Sequence, residues 1–331
     1  MRVIERTTAI LTIAAFALTA CTRVGPAPQP TPSHRILHVG TEQAFSKPSD
    51  AAAVVQSGDM VQISPGTYAD CAVWPTRVSG VTIEGLGEVI LADKTCADKA
   101  IFVIAADDVT VRGITFMHAQ ATSHNGAGIR AEGRNLIVER VRFVDNEEGI
   151  LAASIEDSTI AVRDSYFKGN GNCLSPEGCA HGIYINHIAK LIVERSQFVE
   201  QHIGHHIKSR AALTELTGNI IEDGVGGTAS YLVDIPNGGG LIMRNNWLEK
   251  GPHSENRQVA VSLAAEGNIN PPAEIIIENN NFTNDLGEPT LFVRNLTTTT
   301  AKLTGNSLVG PVTALQGPGT VDAQIPMTSL P

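Results

Sequence analysis

Aromatic residues are scarce. They make up 5% of the 331 residues, two of them tryptophan, which counts against a flat stacking platform for neutral sugars. Positive charge is also short: 24 Lys and Arg stand against 34 Asp and Glu, a net charge of −10. That balance argues against nucleic acid as a partner while leaving room for a local basic groove. No CxxC spacing occurs, so a metal-binding cysteine knuckle is not expected. Residues 9–20 are apolar apart from their threonines but too short for a stable membrane span. What is present excludes other classes. A hydrophobic share of 42% rules out a mostly disordered chain, and 31 Gly with 17 Pro predict many turns and few helices.

The N-terminus carries Arg2 and Arg6 before that apolar stretch, which ends Leu18-Thr19-Ala20-Cys21. This string resembles the lipobox of bacterial lipoproteins. The resemblance implies a signal peptide over residues 1–20, cleavage before Cys21 and diacylation of its sulfur. Thr22 follows rather than Asp, which by the enterobacterial sorting rule resembles an outer-membrane address. Residues 21–35, with Pro26, Pro28, Pro30 and Pro32, read as an extended, lipidated tether. The expected location is the cell envelope, with the membrane contacted by the lipid anchor only and the domain periplasmic or surface-exposed. Cys71, Cys96, Cys173 and Cys179 then remain. An even number in an exported chain favours disulfides. Cys173 with Cys179 would close a short loop, leaving Cys71 for Cys96.

The chain repeats itself. An apolar residue is followed five positions later by another at Val111/Phe116, Val138/Phe143, Val162/Phe167, Val193/Phe198, Leu216/Ile221, Met243/Leu248, Ile277/Phe282 and Leu303/Leu308. The intervals between first members are 27, 24, 31, 23, 27, 34 and 26 residues, so one structural turn recurs with loops added to some turns. Residues alternate around each motif as strands require, and a second short strand follows, as in Gly182-Ile183-Tyr184-Ile185. Asn219, Asn246, Asn280 and Asn306 each stand three residues after a first member, and are expected to stack at one corner. Many turns of several short strands predict a parallel solenoid.

Near the start, residues 51–55 read as a short helix with Ser49 or Asp50 as N-cap. Gly58-Asp59-Met60-Val61-Gln62-Ile63-Ser64-Pro65-Gly66-Thr67-Tyr68 follows. With the repeats, this string resembles the first coil of right-handed parallel β-helix proteins of the pectate-lyase-like superfamily. The resemblance implies an all-β, single-stranded right-handed parallel β-helix over residues 36–310, with an N-terminal capping helix and a tail at 311–331. It speaks for fold more than reaction, because that superfamily holds lyases, epimerases, hydrolases, esterases and adhesins. A monomer is expected.

Chemistry must sit outside an apolar core. If Ile183, Ile185, Ile207, Ser209, Val233 and Ile235 point in, then Tyr184, Asn186, His206, Lys208, Arg210 and Asp234 point out. Tyr184, Lys208 or Arg210, and Asp234 should form a ladder on three consecutive coils. A one-residue slip would exchange His205 for His206 and bury Lys208. Elimination at a uronic acid needs a cation on the carboxylate, a base for the C5 proton and an acid for the leaving oxygen. Arg210 and Lys208 suit the first role, Lys208 or His206 the second, and Tyr184 or His187 the third. Asp234 is expected to pair with one of the cations. Asn186, His187, His205, Tyr231 and Asn237 are the expected substrate contacts. C5-epimerisation shares the first steps, so both reactions on an acidic polysaccharide stay open. So does a non-catalytic glycan-binding or structural lipoprotein using the same groove. Hydrolysis needs paired carboxylates, and here Asp223 is read as a turn residue. His205 and His206 face opposite ways on a strand, so no metal is expected. No cofactor is expected either; calcium, which the superfamily resemblance raises, finds no clear ligand set. The longest insertions, residues 169–180 and 251–272, are expected to wall the ladder.

Overall fold

The computed structural model describes residues 34–176 and 178–322. The expected signal peptide, Cys21, most of the expected tether and the last residues of the chain lie outside the described residues. Within them, short strands stack into three parallel sheets of 12, 10 and 10 strands, a right-handed solenoid of about 11 turns.

The register is the one the repeat predicts. Val111, Val138, Val162, Val193, Leu216, Met243, Ile277 and Leu303 pair coil to coil in one sheet. The partners five residues on, Phe116 to Leu308, do the same in the next. Side chains of both rows turn inward, where the Phe143, Phe167 and Phe198 rings stack at centroid separations of 4.6 and 4.4 Å. Burying one such ring stabilises the fold by roughly 3 kcal/mol.

The asparagines inside the coil are paired along one corner. Asn219, Asn246 and Asn280 each donate through Nδ2 to Oδ1 of the next asparagine, at 3.0, 2.9 and 2.9 Å, ending on Asn306. Each also donates to a carbonyl of the coil before it. A buried amide left unpaired costs about 1–3 kcal/mol, so the corner repeats asparagine where it must be enclosed.

The helix spans Pro48–Val54, and Lys47 is its N-cap residue, without a side-chain cap. Ser49 and Asp50 lie inside its first turn instead. Pro48 at the helix start explains the earlier beginning: its fixed φ suits that position and its missing N–H is not needed there. Ser49 is engaged elsewhere, giving its backbone N–H and hydroxyl to Asp70. Ala51 and Ala52 face the core. At the other end, strands Val312–Gln316 and Gly319–Val321 extend the sheets past residue 310, so the solenoid continues into the expected tail. Both expected disulfides are present, Cys71–Cys96 and Cys173–Cys179.

Candidate active site

The site lies on the outer face of the sheet that holds strands Ile183–Ile185, His205–Ser209, Tyr231–Ile235, Val259–Leu263 and Thr290–Asn295. Its rungs pair Leu151 with Tyr184, Tyr184 with Lys208, Lys208 with Asp234, Asp234 with Ser262 and Ser262 with Arg294. Consecutive rungs are about 4.8 Å apart. The three-coil ladder of Tyr184, Lys208 and Asp234 therefore stands, extended by Ser262 and Arg294.

A second outward row runs beside it. The rings of His181 and His205 stack at 4.7 Å, and Tyr231 follows at 4.9 Å from His205. Backbone N–H groups fix the imidazoles. His205 N donates to Nδ1 of His181 at 3.0 Å, and Tyr231 N donates to Nδ1 of His205 at 3.2 Å. An acceptor Nδ1 leaves the proton on Nε2 of a neutral ring. His205 aims that Nε2 at Oδ2 of Asp234, 3.6 Å away.

His206 is not on this face. It is fully buried, with Nε2 2.8 Å from Oδ1 of Asp223. The reason is a break in alternation: residues 206 and 207 both turn inward, as do Leu232 with Val233, Ala260 with Val261 and Phe292 with Val293. Earlier coils place Gly128, Gly149 and Gly182 there, and a Cβ at Gly128 would lie 2.6 Å from the Phe143 ring. The kink brings His205 outward without burying Lys208, so neither register expected from strict alternation holds. Asp223, expected at a turn, is buried and accepts from Gly251 N and the Ser254 hydroxyl as well as meeting His206.

The two cations do not pair with Asp234. Lys208 and Arg210 both bond Glu266, at 3.1 Å to Oε1 and 2.7 Å to Oε2. Arg210 further donates to the Tyr184 hydroxyl at 3.1 Å and to Oδ1 of Asn237 at 2.5 Å. Asp234 stands one rung from Lys208, but its side chain is almost fully buried and its Oδ1 has no hydrogen-bond partner among the described residues. Burial pushes the Asp234 carboxyl up to about 7, against the pull of Lys208. Burial also holds His205 down at about 3, with Lys208 adding to the effect. His181 is likewise held well below its ordinary value by burial. Glu148 is pushed well above its own by burial.

The remaining residues fall around this centre. The Tyr231 hydroxyl accepts from Arg294 at 2.9 Å. Asn186 faces outward but gives Nδ2 to the Ala152 carbonyl at 2.9 Å. His187 lines a neighbouring pocket with Glu156 and Ile269. Beneath the loop closed by Cys173–Cys179, Glu148, Leu151 and Tyr184 line a small cavity. The 251–272 insertion contributes Glu266, so both long loops reach the ladder. Glu148, His181, Glu266 and Arg294 are the groups that sequence reasoning did not assign to the site. Arg294 was within reach, one rung beyond Ser262 at the same register.

A sheet face with two clustered cations, a neutral imidazole and a carboxyl near neutrality can hold an anion and exchange a proton beside it. The chain matches no protein-family model and no curated protein. Among solved structures it is similar to the pectin methylesterase PemA from Erwinia chrysanthemi, with 10% identity, 76% of this chain and 80% of that chain covered, and a TM-score of 0.42. It is similar to the pectate lyase Pel9A, with 14% identity, 89% and 80% covered, and a TM-score of 0.41. The A-module of the Azotobacter vinelandii mannuronan C-5 epimerase AlgE6 gives 13% identity, 85% and 94% covered, and a TM-score of 0.39.

Proposed function

We propose that the protein acts on an acidic polysaccharide by abstracting the C5 proton of a uronate residue, as a lyase or an epimerase. The observation that carries this reading is Asp234: a buried carboxyl near neutrality, one rung from Lys208, whose Oδ1 has no hydrogen-bond partner among the described residues. Arg210 and Lys208 neutralise the uronate carboxylate, which acidifies the neighbouring C–H. Asp234, ionised, takes the proton; a base poised near the working pH is the effective one. The neutral His205 ring lies beside it, with Nε2 3.6 Å from Oδ2. In an elimination, Tyr184, whose hydroxyl accepts from Arg210 Nε, donates to the leaving oxygen. Asn237 and Tyr231 contribute polar contacts along the groove, with Asn186 and His187 at its margin.

Retention on immobilised polyuronate, against a neutral glycan of equal length, tests the reading. The parent is retained and released by salt, while Arg210→Ala and Lys208→Ala pass through. Equal passage of all three through the polyuronate refutes it.

The proposal includes lipidation at Cys21, a cell-envelope location and a monomeric, cofactor-free protein. The disulfides Cys71–Cys96 and Cys173–Cys179 suit an oxidising compartment. Labelling with a radioactive fatty acid, lost on Cys21→Ser, tests the anchor. The helix Pro48–Val54, with Ala51 and Ala52 against the core, is proposed to cap its open end.

A further inference from the structure

We infer that the Glu266 carboxylate is an internal occupant of the anion subsite, and that substrate enters by exchanging with it. The inference rests on the proposed polyuronate reading for the identity of the substrate, though not for the existence of the subsite.

Three observations carry it. First, one carboxylate spans two cations: Lys208 holds one oxygen and Arg210 the other. A uronate carboxylate has the same charge and the same two oxygens, so Glu266 fills the place that such a group would take. Second, burial is lopsided. The Lys208 and Arg210 side chains are 13% and 15% exposed, whereas Glu266 is 46% exposed. The cations form the floor of a receptor, and the carboxylate sits on it from the solvent side, as a ligand does. Third, the backbone that carries Glu266 is fixed while its side chain is not enclosed. Glu266 N bonds the Pro236 carbonyl, and Ile269 N and Asn270 N both bond the Asn237 carbonyl. Asn270 gives Nδ2 to the carbonyls of Arg210, Ala211 and Gly238. Beside Glu266, Gly267 has nothing within 4 Å of where its Cβ would lie. Exchange therefore needs rotation of one side chain toward open solvent, with the loop left in place.

The arrangement has a consequence for specificity. A ligand must replace both contacts at once to compensate for the lost pair, so carboxylates and other anions with two paired oxygens are admitted and neutral sugars are not. Between substrates, Glu266 keeps Lys208 and Arg210 positioned and paired, which avoids two uncompensated cations in a half-buried site.

The test uses the full chain as parent, E266Q and E266D, titrated calorimetrically with inorganic sulfate and, separately, with oligogalacturonate and oligomannuronate. E266Q removes the competing charge. E266D keeps it but is one methylene shorter, so it cannot bridge both cations from a fixed backbone. Sulfate is expected to bind E266Q at least tenfold more tightly than the parent, with E266D between them. Equal sulfate affinity in parent and E266Q overturns the inference. An E266D variant indistinguishable from the parent overturns the bridging geometry, since it leaves only the net charge to act. If sulfate binding rises in E266Q but neither oligouronate binds any variant, the exchange subsite stands and the polyuronate reading fails. If parent and E266Q bind an oligouronate equally, the polyuronate reading stands and the exchange fails.

Discussion

Replacing Asp234 by asparagine should make the protein more stable while removing its proposed chemistry. Burial raises this carboxyl from its ordinary value of 3.8 to about 7. Each pH unit of displacement is 1.36 kcal/mol, so ionising Asp234 in the folded state costs about 4 kcal/mol more than in the unfolded chain. Below pH about 4 both states carry the protonated acid and no penalty arises. Between about 4 and 7 the unfolded state releases the proton and the folded state keeps it, so stability falls as pH rises. Above about 7 the whole penalty is present. Asparagine has nearly the shape of the protonated acid and does not titrate. Asp234→Asn should therefore match the parent near pH 4 and exceed it by up to about 4 kcal/mol at pH 8. His205, held down at about 3, contributes the opposite slope, destabilising the fold as pH falls below about 6.5. The difference between parent and variant is consequently the quantity to read. Urea unfolding midpoints at pH 4, 6 and 8 supply it, provided the denaturant slope is unchanged. A difference that stays flat across this range would refute the burial argument and with it the assignment of Asp234 as the base. A stability gain with loss of turnover marks a residue kept for function at the expense of the fold.

Other expectations follow from the same geometry. Arg210→Ala loses its bonds to Tyr184, Asn237 and Glu266, and should cost about 1–3 kcal/mol in urea unfolding. Arg210→Lys should recover less than half of the lost polyuronate retention, because an ammonium cannot make the forked contact. Asn246→Ala breaks the corner stack on both sides and should cost about 2–3 kcal/mol, measured by the same unfolding assay, with no change in retention. Phe167→Ala opens the ring stack and should cost about 3–5 kcal/mol. Selective reduction of Cys173–Cys179 should speed proteolysis within residues 169–180 and weaken retention, since that loop covers Glu148 and Tyr184.

The parts of this molecule that repeat are the parts that could be read from sequence. A parallel coil forces each apolar residue onto its counterpart one turn away, so the spacing of Val111 to Leu303 in the sequence already fixes the register. Given that register, Tyr184, Lys208 and Asp234 had to share one line. The disulfides followed from an even cysteine count, an expected export and a short loop. What escaped was local or remote. Strict alternation put His206 outside, and a single break in pleating, shared by several coils, put it within reach of Asp223. Glu266 stands 56 residues after Arg210 on an irregular loop, and no period connects the two. Asp234 was read as a counter-ion because its sign fits. Its depth, which no pattern of residue types encodes, makes it instead a carboxyl that titrates near neutrality.

Cleavage of a C5–H bond is the central claim, and its fate in heavy water tests that claim most directly. The full chain is incubated with polygalacturonate and polymannuronate in deuterium oxide, and the polymer is examined by nuclear magnetic resonance and ultraviolet absorbance. The expected result is either deuterium at C5 with the chain intact or new unsaturated chain ends, and neither with Asp234→Asn. Fresh reducing ends without C5 exchange or unsaturation, or the same C5 chemistry from Asp234→Asn as from the parent, would contradict it.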